Sequence, residues 1–104
     1  MARTVIKVKC RLEQNDVEEI CNKILNNNGY HPAEENGETV WIKGDVSLTG
    51  MKGIKVDYEQ NTVKISGWIK GLIGGETALQ GIAGAATKHA VKKVMNEIEQ
   101  ALTY

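Results

Sequence analysis

The stretch GIKVDYEQNTVKISGWIK, residues 53–70, sets the tightest limit on what this chain can become. Ile54, Val56 and Tyr58 alternate with polar residues up to Gln60-Asn61, and Val63, Ile65, Gly67 and Ile69 alternate after it. A period of two is the side-chain repeat of a strand. Two such runs about a tight polar turn predict an antiparallel hairpin with one apolar face. That face has to be covered, so the rest of the chain has to supply a second layer.

Two segments can supply it. NDVEEICNKILNNNG (15–29) puts Val17, Ile20, Cys21, Ile24 and Leu25 on one helical stripe, with Asn15 as N-cap and Gly29 as C′ residue. Thr77 and Gln80 have the spacing of a capping box and open a C-terminal helix over 78–102. At 1.5 Å per residue it is about 37 Å long, so it crosses the whole sheet, bends at Gly81 or Gly84, or projects. Its Gly- and Ala-rich start fits close approach to the sheet, where Gly67 also lacks a side chain.

Further strands extend the sheet. RTVIKVKCR (3–11) alternates strictly, with Thr4, Ile6, Val8 and Cys10 on one face. YHPAEENGETVWIKG predicts a second hairpin about Asn36-Gly37, a pair that accepts positive φ at both positions. Pro32 lacks a ladder donor, which puts its strand at an edge. Val40, Ile42, Gly44, Val46 and Leu48 keep one parity. Residues 38–49 therefore read as one strand bent at Gly44 with those side chains inward, or as two shorter strands.

The order β-α-β-β-β-β-α over 1–104 predicts a single α+β domain. It is a two-layer sandwich, an antiparallel sheet with both helices on one face. This element order resembles one repeat of the TATA-box-binding-protein architecture, and it also resembles helix-grip domains, where a long C-terminal helix lies in a curved sheet. The resemblance is in topology only. The Phe wedges of TATA-box proteins have no counterpart, because the chain contains no Phe.

Alternation leaves eight basic residues on the face without helices: Arg3, Lys7, Lys9, Arg11, Lys43, Lys55, Lys64 and Lys70. Asp45 and Asp57 are the acids there. The whole chain is neutral, with 13 basic and 13 acidic residues, so the expected asymmetry is one of distribution. Lys7, Lys9, Trp41, Lys43, Lys64, Trp68 and Lys70 form the candidate interaction surface. Lysines supply charge for phosphates without base specificity, and exposed tryptophan offers a stacking platform. The ordinary alternative is a solvated sheet face or a dimer seam.

Catalytic and cofactor signals are absent from the sequence. His31 and His89 have no nucleophile nearby, Cys10 and Cys21 lack paired Cys-x-x-Cys spacing, and GLIGGET lacks the Lys-Ser/Thr of a P-loop. No apolar run is long enough to cross a bilayer, and the N-terminus does not read as a signal peptide. The expectation is a cytoplasmic protein with reduced thiols and no cofactor or metal. It is a small non-enzymatic binding or assembly module, a homodimer or a binder of nucleic acid or another polyanion through the basic face. The alternative is a carrier of a small apolar ligand held between the sheet and the C-terminal helix.

Overall fold

The computed structural model describes residues 3–44, 51–70, 76–77 and 85–103. Its elements are β1 (Thr4–Lys9), α1 (Gln14–Asn27), β2 (His31–Glu35), β3 (Glu38–Lys43), β4 (Met51–Glu59), β5 (Thr62–Lys70), β6 (Glu76–Thr77) and α2 (Ala85–Leu102). The strands form one sheet in the order β1-β5-β4-β3-β2, every pairing antiparallel, with β6 added to β5. The protein is α+β.

Both hairpins form at the expected residues. Asn36 and Gly37 have φ of 52° and 82°, and Gln60 and Asn61 have φ of 30° and 65°. Positive φ at both central positions matches the right-handed twist of the flanking strands. Register follows from the turns: Val56 pairs with Ile65 and Tyr58 with Val63.

α1 begins one residue earlier than its expected cap. The Glu13 carbonyl accepts the first helical bond, from Val17 N–H at 3.0 Å, so Asn15 lies inside the first turn. The other end is as expected. Gly29 has φ +85°, Tyr30 N–H donates to the Leu25 carbonyl at 2.9 Å and Gly29 N–H to that of Asn26 at 3.1 Å. This pair of bonds is a Schellman motif, and it satisfies carbonyls the helix would otherwise leave open.

One core joins both helices to the sheet. Val17, Cys21 and Leu25 of α1 and Val91, Val94, Met95, Ile98 and Leu102 of α2 pack with Val8, Ile54, Val63, Ile65 and Ile69. Ile6, Ile20, Ile24 and Val56 lie partly buried against it. Gly67 sits directly under α2, since a Cβ there would stand 2.4 Å from Met95 Sδ. The part of α2 closest to Gly67 is thus Val91 and Met95, and the Gly- and Ala-rich turns over 78–84 expected to approach the sheet lie outside the described residues.

One expectation at the element ends changes, and two fall outside the described residues. Thr77 is a strand residue, paired with Ile69, and not a helix cap. β5 runs past Gly67, where its pairing with β1 stops, and β6 takes up the backbone groups left over at Ile69 and Lys70. α2 is described from Ala85, and the expected turns over 78–84 lie outside the described residues. β3 ends at Lys43, and the strand expected to continue past Gly44 falls on residues 45–50, also outside them.

The largest correction concerns β3. Trp41 pairs with Ile54, so Trp41 and Lys43 lie on the helix-covered face, while Ile42, paired with Gly53, lies on the other. Val40 shares the parity of Ile42. The expected faces of this strand are therefore exchanged. Alternation fixes which residues share a face, but pairing register decides which face that is.

Candidate functional site

The seven residues of the expected surface do not form one surface. Lys7, Lys9 and Lys64 come together at one end of the helix-free face. Lys7 stands directly opposite Lys64, and Lys9 opposite Thr62. Like charges facing each other across a ladder cost stability. Asp57 is the next residue in the Lys64 row, but its carboxylate is taken by Lys55, Nζ to Oδ1 3.1 Å. Among the described residues, Lys7, Lys9 and Lys64 make no ion pair. Lys9 also stands between two surface depressions, one shared with Lys7, Glu59, Thr62 and Lys64, the other with Arg11, Asn61 and Thr103. This end thus carries Lys7, Lys9, Arg11 and Lys64, all exposed, with Glu59 as the nearby acid.

Lys70 lies six residues further along β5, about 20 Å away along an extended strand, and takes no part in this cluster. Lys43 stands over the C-terminal end of α1, its Nζ 6.0 Å from the Tyr30 ring centroid. A cation there suits the negative end of the helix dipole.

Trp68 is fully buried, although it lies on the face without described helices. Its ring covers Gly53 on β4, where a Cβ would stand 2.2 Å from Cε2. The Arg3 guanidinium lies 3.9 Å from its centroid and bonds Glu38 Oε1 at 2.8 Å. β1 and β3 are three strands apart in the sheet, so this pair meets over Trp68. Met51, Ser66 and Val40 are buried on the same side. The expected stacking platform does not exist at Trp68.

Trp41 is half-buried in a different place. It lines a groove of about 670 Å³ between α1 and the β2–β3 hairpin. Val17, Cys21 and Val56 form its floor, and Gln14, Glu18 and Asn22 line the helix wall. Sequence reasoning did not single out this groove. Its one legible sign is the spacing of Gln14, Glu18 and Asn22, which places three polar residues along one flank of α1.

Cys10 and Cys21 are both buried, as expected, and both are free thiols. Burial pushes the Cys21 thiol up to about 11, helped by the neighbouring Cys10 and Glu18. Such a thiol stays protonated and is a poor nucleophile. Burial likewise pushes Tyr30 up to about 12, and its hydroxyl has no partner among the described residues. No group of three or more His, Cys, Asp or Glu able to hold a metal occurs among the described residues. Among them, too, no helix is long and apolar enough to cross a membrane.

Comparison of the chain with protein-family models, with curated proteins and with solved structures gives no match.

Proposed function

We propose that the protein is a small non-enzymatic binding module whose basic sheet end takes an anionic partner, a phosphate polymer such as single-stranded nucleic acid. The observation that carries this reading is the Lys7–Lys64 cross-strand pair, flanked by Lys9 and Arg11, in which neither lysine makes an ion pair among the described residues. A polyanion laid across it would remove the repulsion and release condensed counterions. Recognition is by charge and not by base, because Trp68 is buried and Trp41 lies on the opposite face.

Self-association, the other use of this face, keeps Val5 in its support, 45% exposed on the edge strand β1. The two tryptophans no longer contribute to it. Edge lysines also discourage strand-to-strand pairing, which favours the polyanion over a second copy at this edge. The strand order and the shared core of both helices support the two-layer topology that resembles a TATA-box-binding-protein repeat or a helix-grip domain.

The test is binding of a thymidine oligonucleotide followed by fluorescence anisotropy at several salt concentrations. With three to four cations engaged, log K against log salt should slope by about −2 to −3 for a single strand. Lys64→Gln should flatten that slope by about 0.7, and Lys70→Gln should leave it unchanged. Absence of binding at low salt, or equal effects of the two substitutions, would overturn the proposal.

A further inference from the structure

The groove between α1 and the β2–β3 hairpin is built differently from the basic end. Its volume of about 670 Å³ falls within the range of small-molecule sites. Val17, Cys21 and Val56 make the floor apolar, and Trp41 presents the part of its ring that packing leaves open. No basic side chain lines it. Its lining carboxylates are Glu18, on the helix wall, and Asp57, which pairs with Lys55. A further carboxylate stands just outside the lining on the hairpin side, where Thr39 donates its hydroxyl to Glu34 Oε1 at 3.2 Å. The lysines of this face, Lys43 and Lys52, stand opposite each other beyond Trp41 and do not line it.

An aromatic face attracts a cation through its quadrupole, and two carboxylates flanking an apolar floor add Coulomb attraction where water is partly displaced. An anion would meet repulsion from both walls, and a neutral apolar ligand would gain only the floor. We propose that this groove is a binding site for a small organic cation, an ammonium group carried on an apolar body. The apolar body lies on Val17, Cys21 and Val56, and the ammonium stands over Trp41 within reach of Glu18. The site is independent of the basic sheet end, which lies on the other face.

The test is a titration of the whole chain with benzyltrimethylammonium, followed by backbone and indole amide shifts in NMR spectra. Benzyl alcohol and benzenesulfonate serve as neutral and anionic probes of similar body. The expected result is saturable binding of the cation at millimolar concentration or below. It should move the Trp41 indole signal and amides along Gln14–Asn22, and leave the buried Trp68 indole in place. Glu18→Gln should weaken binding of the cation about threefold or more and leave that of benzyl alcohol unchanged. The inference fails if the three probes bind alike, if the shifts fall outside the groove, or if Glu18→Gln changes nothing while its spectrum shows a folded protein.

Discussion

The two hairpins of the sheet look alike in sequence and are used differently. β3, β4 and β5 alternate apolar and polar residues, and both hairpins turn with positive φ at both central positions. In β4–β5 the apolar parity faces the helices, and Ile54, Val63 and Ile65 are fully buried there. In β2–β3 it faces away, and Val40 is fully buried on the side that carries Trp68. Position in the sheet makes the difference. β4 and β5 lie under α1 and α2, whereas β2 and β3 lie at the margin, where the helices give way to an open groove. At that margin Val40 is buried on the side of Trp68, and the hairpin takes the register that puts it there.

Replacing each tryptophan by alanine tests this contrast most strongly. Trp68→Ala should cost about 3–5 kcal/mol in urea unfolding, the usual range for a buried aromatic residue. Trp41→Ala, at a half-exposed position, should cost about half of that. Equal costs would mean that the Trp68 side of the sheet is no core.

The two close-packed glycines refine the same comparison. Gly53→Ala drives a methyl into the rigid Trp68 ring and should cost about 2–3 kcal/mol. Gly67→Ala meets the thioether of Met95, which can re-fit, and should cost about 1 kcal/mol. If Gly67→Ala proved the more damaging, the helix-covered side would be the tighter of the two.

Alkaline titration addresses the helix-covered core alone. Cys21 and Tyr30 are both raised by burial, to about 11 and about 12. The unfolded chain therefore releases their protons first, near pH 9 and pH 10, and stability falls as pH rises from there toward the folded values. At pH 11, one unit above the unfolded tyrosine value, the Tyr30 step should have cost about 1 kcal/mol, allowing for solvent near the group. Tyr30→Phe should remove that step, and it should raise stability at neutral pH by about 1 kcal/mol, since the hydroxyl has no partner to lose among the described residues. Unfolding free energies at pH 8, 9.5 and 11 decide the matter, and an unchanged alkaline loss in Tyr30→Phe would place its origin elsewhere.

The smallest effect belongs to the basic end. Lys64→Thr should raise the stability of the ligand-free protein by a few tenths of a kcal/mol, by removing the charge opposite Lys7. A loss would show that the lysine stems pack more than their charges repel.

Much of this protein was decided by local pattern. Period-two alternation, the Asn36-Gly37 and Gln60-Asn61 turns, the Val17–Leu25 stripe and Gly29 each act over a few residues, and each produced its element. Those elements were enough to define an antiparallel sheet with two helices and to bring Lys7, Lys9 and Lys64 onto one face. Tertiary structure decided what depends on relations between distant strands. The β3–β4 register turned Trp41 and Lys43 toward the helices, because alternation is blind to which face meets the core. Arg3 and Glu38, meeting over Trp68, mark a second buried side on a strand face that alternation alone left facing water. The groove at Trp41 arose in the same way, since it is the space left where two helices cover only part of a sheet, and no single segment of the chain contains it.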